Sequence, residues 1–402
     1  MQDFDVSASS LILEISGDSA VYSCGMGEHI RYGIIGTGMM GIEHILNVHA
    51  LDDASVVAIA DTHEPSRRSG ARVAGPDAVV YSNHHELLVD DSVDAVVVVT
   101  PNHTHIDVMR DVLATGKHVL CEKPLCTTTT DCQTLITLAE GYSGVIWVGL
   151  EYRYMPAVQA LITEVEAGVV GDVKMVSVRE HRFPFLEKVD NWNRFNKFTG
   201  GTLVEKTCHY FDLMTTIIGR HPLQVYASGG QDVNHIGEIY DDHTSDILDN
   251  AYVIVDYEGG ARAMLDLCMF AEATKDQEEL SVVGTLGKVD ARVPSSILHV
   301  GIRSNGSDDI GNVETRAIQN SAIRHVGLHH GASYLEHVDF VGAIRNGTPA
   351  TVSLENGLWS VAVGEAAHMS IAQNRSVRLT EVMRKTPQYG TPNPAAERWG
   401  RG

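Results

Sequence analysis

Apolar residues follow two different patterns along the chain, and the change between them falls near residue 150. In the first part, short unbroken apolar runs such as 56–60 and 95–99 alternate with stretches whose apolar positions recur at helical spacing. Runs of this kind, rich in valine and isoleucine, are typical of parallel strands that are buried on both faces. The first part is therefore predicted to form an α/β domain around a parallel sheet.

Beyond residue 150 the strand-like segments are longer, and apolar and polar residues alternate along them. Segments with this alternation are 173–180, 224–228, 251–257, 261–269 and 279–283. A period of two indicates strands with one covered face, so a second, α+β domain with a mostly antiparallel open sheet is predicted. The open face of that sheet is available for pairing with another copy of the chain.

These patterns set the predicted domain boundaries. The predicted segments are an N-terminal extension (1–30), a parallel-sheet domain (31–150), an α+β domain (151–384) and a polar tail (385–402). A long helix over 354–374 is expected to pack back across both domains. Residues 11–16, LILEIS, fit an extra edge strand or a poorly ordered arm, and the sequence leaves both open.

Composition limits the partners of the protein. The 30 basic and 52 acidic residues give a net charge of −22, which argues against nucleic acid or an anionic membrane as a partner. No apolar run of about 18 residues is present that could span a membrane, and residues 1–30 do not resemble a signal peptide. The six cysteines show neither C-x-x-C pairing nor zinc-ligand spacing, so we expect reduced thiols, no metal site and a cytoplasmic protein.

A glycine-rich turn follows the first strand of the parallel-sheet domain. The segment 36–41, GTGMMG, fits G-x-G-x-x-G, follows Ile34 and Ile35, and leads into apolar positions at helical spacing. Strand, glycine turn and helix in this order form the first unit of a Rossmann dinucleotide-binding fold, with the diphosphate at the positive end of the helix. The cofactor-binding residues predicted from this turn are Gly36, Thr37, Gly38, Met39, Met40 and Gly41.

A carboxylate closes the second strand of this domain. Asp61 lies twenty residues beyond Gly41, where an acid can accept hydrogen bonds from the adenosine ribose diol and repel a 2′-phosphate. This position favours NAD as the cofactor. Arg67 or Arg68 could instead clamp the 2′-phosphate of NADP, so NADP stays open as an alternative.

Polar residues also follow the later strands of the parallel sheet, at the edge where open α/β folds bind ligands. The cofactor-binding residues predicted there are Thr100, Pro101, Asn102, His105, Glu122 and Lys123. Asn102 fits a helix cap equally well, and His103 fits either a first-turn helix residue or a residue that lines the nicotinamide ribose. Pro124 restricts Lys123 to an extended conformation, which fixes where its side chain points.

The segment 200–212, GGTLVEKTCHYFD, carries the polar residues of most interest in the second domain. Apolar spacing predicts one helix over 202–218, on which Glu205 and His209 lie one turn apart at about 6 Å. A carboxylate at that distance can orient the imidazole and tune it as a general base, although an ordinary helix pair fits the spacing equally well. Asp212 is expected to hold a main-chain or arginine partner rather than to take part in chemistry.

The glycine turn, Asp61, the TPNHTH segment at 100–105 and the Glu-Lys-Pro motif at 122–124 occur together at characteristic separations. In this combination the chain resembles the glucose–fructose oxidoreductase / inositol dehydrogenase / MocA (Gfo/Idh/MocA) family over nearly its whole length after residue 30. The resemblance implies that Lys123 reaches the substrate hydroxyl beside the nicotinamide and that His209 is the catalytic base. Glu205 stands where the family more usually carries aspartate, and it is taken as the third catalytic residue.

Donor-rich and aromatic segments of the second domain suit sugar hydroxyls and apolar ring faces. Two adjacent histidines, His329 and His330, point in different directions from the start of a helix, which argues against a shared metal ion. One of the two is expected to face the substrate pocket. The substrate-binding residues predicted from these segments are Arg153, Tyr154, Arg179, His181, Trp192, Asn193 and His330.

These residues predict an NAD(P)-dependent dehydrogenase that oxidises a secondary alcohol of a sugar, an inositol-like polyol or a glycoside by hydride transfer. The resemblance also implies a homo-oligomer, a dimer or tetramer, formed through the C-terminal sheet. Two alternatives share the fold: an NAD-dependent glycosidase with no net redox change, and a sugar-sensing regulator. The presence of both Lys123 and His209 argues against the regulator.

Overall fold

The computed structural model of the protein describes residues 11–14, 29–303 and 311–383. The predicted tail 385–402 and most of the N-terminal extension lie outside these residues. Within the extension, strand β1 (Leu11–Glu14) pairs in parallel with a strand of the larger sheet, which corresponds to the edge-strand interpretation of LILEIS. Among the helices of the described ranges, none combines the length and the apolar character that a membrane crossing requires.

The first domain is a six-stranded parallel sheet flanked by helices, as its buried apolar runs predict. Its strands are β2 (Ile30–Ile35), β3 (Ala54–Ala60), β4 (Val79–Tyr81), β5 (Ala95–Val98), β6 (His118–Glu122) and β7 (Ile146–Gly149). Its helices are α1 (Met39–His49), α2 (Glu64–Ala74), α3 (His84–Leu88), α4 (His105–Leu113) and α5 (Thr129–Leu138). The sheet order is β4-β3-β2-β5-β6-β7, and its change of direction between β2 and β5 creates the crevice in which this fold binds ligands.

The second domain is built on a ten-stranded sheet that is mostly antiparallel, as predicted. Its strands after β1, with the separate hairpin β10–β11, are β8 (Val173–His181), β9 (Pro222–Gly230), β10 (Ile239–Tyr240), β11 (His243–Thr244), β12 (Asn250–Tyr257), β13 (Arg262–Cys268), β14 (Glu278–Gly284), β15 (Gly287–Val293), β16 (Ile297–Ile302), β17 (Glu314–Gln319) and β18 (Val377–Arg378). The strand order in the large sheet is β1-β17-β16-β15-β14-β8-β13-β12-β9-β18. Two pairs of its described strands, β1–β17 and β8–β13, are parallel.

Helices cover one face of the ten-stranded sheet and leave the other open. The helices that pack on the sheet are α6 (Pro156–Glu166), α9 (Cys208–Ile218), α11 (Leu354–Gln373) and α12 (Leu379–Val382). The other helices of this part of the chain are α7 (Asn196–Thr199), α8 (Thr202–Glu205) and α10 (Ala332–Asn346). Along β9, β12 and β13, side chains that are exposed on the open face, several of them apolar, alternate with side chains that are buried on the covered face. The predicted open sheet face is therefore present.

The predicted single helix over 202–218 is wrong, because the structure breaks it into α8 and α9. Thr207, between the two, has φ −94° and ψ 0°, and α9 begins only at Cys208. At the break, the main-chain carbonyl oxygen of Glu205 accepts a hydrogen bond from Nζ of Lys123 (3.3 Å). In a continuous helix, this oxygen would accept a hydrogen bond from the amide of His209. In the structure, a lysine of the first domain donates to it instead.

The long helix α11 contacts both domains. It packs against α5 and β7 of the first domain and against α9 and β9 of the second. Ser353 caps its N-terminus by accepting a hydrogen bond from the amide of Asn356. Just before the helix, the carbonyl oxygen of Val352 accepts the N–H of Val148 in β7 (3.1 Å). The end of the parallel sheet is therefore attached to the C-terminal part of the chain.

Candidate active site

A cleft of about 740 Å³ lies between the two domains, at the carboxyl ends of the parallel strands. The glycine turn and the ends of β3, β5 and β6 line it from the first domain. The second domain contributes α8, the start of α9 and the loop after β8. Because ligands of open α/β folds bind at this edge, the cleft is the candidate site.

The glycine turn leaves space where a cofactor diphosphate would lie. Gly36 has a φ of 98°, and a Cβ there would lie 2.6 Å from the carbonyl oxygen of Val99. A Cβ on Gly41 would lie 2.1 Å from the carbonyl oxygen of Gly36, so glycine at 41 allows α1 to pack closely on the turn. A Cβ on Gly38 would meet no atom within 4 Å, and the amides at the start of α1 have no side-chain cap. Open space beside these amides fits a diphosphate. The residues of the turn that line the cleft are Gly36, Thr37, Gly38, Met39 and Met40.

Main-chain amides hold the Asp61 carboxylate beside the glycine turn. Its Oδ2 accepts the N–H of Thr37 (2.7 Å), and its Oδ1 accepts the N–H of His63 (2.8 Å). Oδ2 also accepts the hydroxyl of Thr37 (3.1 Å), whereas Oδ1 keeps a lone pair that can accept a ribose hydroxyl. Arg67 donates instead to the carbonyl oxygen of Asp61 (2.6 Å), and Arg68 pairs with an acid of its own helix. Neither of the two arginines considered for NADP is itself part of the described cleft lining.

The loop after β5 forms the next part of the wall, which is lined by Thr100, Pro101, Asn102, His103 and His105. Asn102 does not cap α4; it lies in a short 3-10 turn, and its Nδ2 is 3.5 Å from the carbonyl oxygen of Thr199 in the second domain. The ring nitrogens of His105 each lie 2.9 Å from a main-chain carbonyl oxygen, one of Thr100 and one of Pro124. Burial lowers the pKa of His105. His105 therefore ties two loops of the wall together.

Lys123 reaches from the end of β6 towards the second domain. Its Nζ donates to the carbonyl oxygen of Glu205 (3.3 Å), and its own N–H donates to Oε2 of Glu122 (3.0 Å). Burial opposes the charge on Lys123, but Cys208 and the neighbouring acids outweigh burial, so the pKa of Lys123 is raised. The side chain is therefore an ammonium at physiological pH and can donate to a bound oxygen.

His209 faces the cleft from the first turn of α9. Its ring stacks on Tyr152, with ring centroids 3.9 Å apart and 6° between the planes. Lys206 holds Tyr152 by donating to its hydroxyl (2.7 Å) and is itself paired with Glu180 (2.9 Å). Burial, followed by the charges of Lys123 and Lys206, holds the pKa of His209 well below its usual value. The imidazole is therefore neutral and able to accept a proton.

The acid beside His209 is Glu151, and the predicted contact with Glu205 is not formed because the helix breaks between them. Oε2 of Glu151 lies 3.7 Å from Nδ1 of His209, and its Oε1 lies 3.3 Å from Nδ1 of His329. Burial, reinforced by Glu122, raises the pKa of Glu151 to about 8. Glu205 nevertheless lines the cleft, and among the described atoms its buried Oε2 has no hydrogen-bond partner.

The structure does not bring Arg153 or Tyr154 into the cleft, so their prediction as substrate residues is wrong. Arg153 forms a bidentate ion pair with Asp212, which is the arginine partner expected for that acid. Tyr154 is buried, with Asp339 of α10 beside it. The chain makes a 3-10 turn over Glu151–Tyr154, and Tyr152 is the residue of that turn that lines the cleft.

Arg179 and His181 lie on the open face of the ten-stranded sheet, and their prediction as substrate residues is wrong as well. Arg179 pairs with Glu279 (2.6 Å), and His181 pairs with an aspartate of β13 (3.1 Å). Side chains alternate along a strand, so Glu180, between them, is buried on the opposite face. Arg182, one residue beyond β8, lines the cleft.

The loop after β8 closes the cleft on the side of the second domain. Trp192 and Asn193 line it, although Asn193 also donates to a main-chain carbonyl of the same loop (2.9 Å). Lys188 of this loop faces the cleft too, and burial lowers its pKa. Of the two adjacent histidines, His329 lines the cleft and His330 does not, so the choice of His330 is wrong.

Sequence reasoning missed most of the polar residues around His209. They are Glu151, Tyr152, Glu180, Arg182, Lys188 and Lys206. His329 is one of the two histidines of which one was expected to face the pocket. Glu151 and Tyr152 follow β7 directly, so the rule that ligands bind beyond the carboxyl ends of parallel strands could have found them. Lys188 lies in a loop without regular periodicity, and no signal in the sequence marks it.

The chain is similar to proteins with known names over most of its length. It is 29% identical to the myo-inositol 2-dehydrogenase of Thermotoga maritima over 361 residues, which cover 88% of this chain and 100% of that protein. Its structure matches the crystal structure of a probable dehydrogenase from Thermotoga maritima with a TM-score of 0.72 and 27% identity, covering 88% of this chain and 100% of that one. The 2,7-anhydro-N-acetylneuraminate hydratase of Mediterraneibacter gnavus is 25% identical over 280 residues, 67% of this chain and 72% of that protein.

Two family models match the chain one after the other. Residues 30–150 match the NAD-binding Rossmann fold of the GFO/IDH/MocA oxidoreductase family, and residues 162–379 match the C-terminal alpha/beta domain of the same family. The predicted cofactor, NAD, is thereby confirmed, and so are both domain folds. The chain belongs to the Gfo/Idh/MocA family of NAD-binding oxidoreductases.

Proposed function

We propose that the protein is an NAD-dependent dehydrogenase that oxidises a secondary alcohol of a cyclic polyol or sugar. The observation that carries the proposal is the presence, in one cleft, of a lysine held as an ammonium and a histidine held neutral. Oxidation of an alcohol needs a base for the hydroxyl proton and a positive group for the oxygen that loses it. His209 and Lys123 supply these two groups.

In this mechanism His209 accepts the hydroxyl proton at Nε2, because Nδ1 is turned towards Glu151. The stack on Tyr152 keeps the ring in one orientation while the proton moves. Lys123 donates a hydrogen bond to the same alcohol oxygen and stabilises the negative charge that develops there. Bound NAD supplies the acceptor for the hydride.

The first-domain part of the cleft would hold the cofactor. The amides of the glycine turn would bind the diphosphate, and Asp61 would accept the ribose hydroxyls. A 2′-phosphate would meet the Asp61 carboxylate, while Arg67 is engaged with the main chain. This arrangement supports NAD over NADP. Thr100, Pro101 and Asn102 would shape the wall nearest to the reacting end.

A ring with several hydroxyl groups fits the second-domain part of the cleft. Glu205 offers a carboxylate oxygen without a partner among the described atoms, and Lys188 and Arg182 offer hydrogen-bond donors. Trp192 adds an apolar ring surface, as is common in sites for carbohydrates. The name of the Thermotoga maritima relative makes myo-inositol the first compound to test.

The proposal is tested by mixing the purified protein and NAD with a panel of myo-inositol, scyllo-inositol, free aldoses and aryl glycosides. We expect NADH to accumulate with at least one secondary alcohol. The hydratase relative favours a second candidate, a redox-neutral route, in which a product forms and NADH does not accumulate. A panel that yields neither NADH nor a changed sugar would contradict both.

Replacing Glu151 by glutamine should remove a rise in kcat/KM near pH 8. Below its pKa of about 8, the Glu151 carboxyl is neutral; above it, a carboxylate lies 3.7 Å from Nδ1 of His209 and favours the imidazolium. The rate of the unmodified protein therefore increases as pH passes 8, whereas Glu151→Gln cannot ionise. Profiles of kcat/KM on both sides of pH 8 measure this, with the exposed Glu166→Gln as control. If kcat/KM still rises near pH 8 in Glu151→Gln, a group other than Glu151 is responsible for the rise.

The open face of the ten-stranded sheet is proposed to pair with a second copy of the chain. Tyr226, Ile254 and Met264 lie side by side across β9, β12 and β13 and are 45%, 49% and 41% exposed. Adjacent exposed apolar side chains of this kind mark interaction surfaces. Sedimentation equilibrium should give an oligomer, and Ile254→Asp should shift it towards the monomer. A monomer at micromolar concentration would contradict this assignment.

A further inference from the structure

A line of buried polar side chains runs from the cleft into the first domain. Oε1 of Glu122 lies 3.0 Å from Nε2 of His44, and Nδ1 of His44 lies 2.9 Å from Nε2 of His337. Nδ1 of His337 then lies 3.4 Å from the hydroxyl of Tyr32. Tyr32 and His337 are fully buried, and His44 is 1% exposed. The mechanism above uses none of these last three residues.

The four side chains come from four separate parts of the fold. Glu122 ends β6, His44 lies on α1 directly after the glycine turn, and Tyr32 lies on β2. His337 comes from α10, in the second half of the sequence. The line therefore connects α1, which follows the glycine turn, with β6, which Lys123 directly follows, and with α10, a helix that no first-domain motif predicts.

The carboxylate of Glu122 determines how His44 is oriented. Burial opposes the ionisation of Glu122, but the hydrogen bond and charge of His44 outweigh burial and hold the pKa of the carboxyl at about 2. An ionised carboxylate can only accept, so Nε2 of His44 carries a hydrogen. Nδ1 of His44 is bonded to His337, whichever ring supplies that hydrogen. The ring of His44 is thus held at both nitrogens, and turning it would break both bonds.

The same carboxylate also holds the residue that carries the proposed catalytic ammonium. Oε2 of Glu122 accepts the N–H of Lys123 (3.0 Å), while its Oε1 faces His44. Glu122 is 5% exposed, so water is poorly placed to replace a lost donor. If His44 moved, the Glu122 carboxylate would rotate towards another donor and pull away from the Lys123 amide.

We propose that His44 and His337 are positioning residues for Lys123. His337 holds the ring of His44, His44 holds the Glu122 carboxylate, and Glu122 holds the main chain of Lys123. Neither histidine is part of the described cleft lining, so each acts only through its neighbour. The inference rests on the role that the proposed function gives to Lys123. A displacement of a reacting group by about 1 Å can lower a rate by about 100-fold, which makes such distant support kinetically important.

Two substitutions of His337 test the proposal. His337→Leu removes the bond to Nδ1 of His44, whereas the side-chain amide of His337→Gln can still reach that atom. With myo-inositol and NAD, we expect His337→Leu to lower kcat about 10- to 100-fold at an unchanged dissociation constant for NAD, and His337→Gln to recover most of the loss. Phe340→Leu, one turn along α10, removes packing against Tyr32 and Trp147 and should keep kcat. His337→Met, an apolar chain of similar volume, replaces leucine if that variant does not fold.

A second measurement does not depend on turnover. In the NMR spectrum of protein labelled with 15N-lysine, the amide signal of Lys123 is identified as the one that is lost in Lys123→Arg. The hydrogen-exchange rate of this amide reports its hydrogen bond to Glu122. We expect several-fold faster exchange in His337→Leu and unchanged exchange in His337→Gln and Phe340→Leu. Unchanged exchange and unchanged kcat in His337→Leu would overturn the proposal. If the unmodified protein oxidises no alcohol but the amide still responds to His337→Leu, the positioning of Lys123 stands and the proposed function fails.

Discussion

Replacing His209 by alanine lowers kcat for alcohol oxidation by an expected factor of about 10²–10⁴, the usual contribution of a positioned base. The reason is the environment of the ring: burial and the nearby ammonium groups keep it neutral, and the stack on Tyr152 keeps it in place. Alanine leaves only water to take the proton. The dissociation constant for NAD should change little, because the cofactor residues belong to the first domain. Added imidazole should restore part of the rate, since the missing ring leaves space.

His118→Ala is the matched control for this result. His118 is a half-buried histidine at the start of β6, the strand that Lys123 directly follows, and its Nδ1 accepts the N–H of Val145 (3.0 Å). The His118→Ala change removes a ring and a hydrogen bond outside the described cleft lining, so kcat should stay near that of the unmodified protein. Thermal unfolding of both variants separates lost stability from lost chemistry. Turnover of His209→Ala within a few-fold of normal would exclude His209 as the base.

Lys123→Met is expected to lower kcat by about 10²–10³, the effect of losing one donor to a developing oxyanion. Methionine keeps the unbranched length of the side chain and removes the ammonium. Because the pKa of Lys123 is raised, the charge is present throughout the accessible pH range, and the variant should lose rate by a similar factor at every pH. Lys123→Arg should not restore the rate, since the planar guanidinium has a different reach and donor geometry.

Lys117→Met provides the control for Lys123. Lys117 lies directly before the same strand, and its Nζ donates to the carbonyl oxygens of Asp90 (2.9 Å) and Val93 (2.7 Å). Removing it costs stability at the far end of the strand and should leave kcat unchanged. If Lys123→Met instead raised only KM and kept kcat, Lys123 would bind substrate without stabilising the transition state.

The first domain could be predicted from the sequence because its signals are local. Each parallel strand is a short apolar run, and the glycine turn with Asp61 spans only 26 residues, 36–61. The second domain was predicted less completely, because β15, β16 and β17 were not identified. Alternation is weaker in β16 and β17, whereas β15, with the sequence GKVDARV, alternates strictly and could have been found. Its mostly antiparallel character was still evident from the longest strands, where a period of two is clearest.

Residues of the candidate site that belong to a local sequence motif could be predicted from the sequence. Residues that come together from several separate segments were missed. The sequence does not show which of the two alternating sets of side chains along β8 faces the helices. Arg179 and His181 were therefore predicted as substrate residues, although Glu180 between them is the buried residue. At the break before α9, the carbonyl oxygen of Glu205 accepts a hydrogen bond from Lys123, which lies 82 positions away in the sequence. The contact between His44 and His337 joins residues 293 positions apart, and no local pattern encodes it.

The long helix α11 also affects how the protein is made. Gly357 packs against Leu125 and Val148 of the first domain, so part of that core is covered by a segment translated about 200 residues after β7. While the ribosome synthesises the intervening residues, part of the apolar surface of the first domain is exposed to solvent. Chaperone binding to the nascent chain is therefore expected to persist until α11 has emerged and docked.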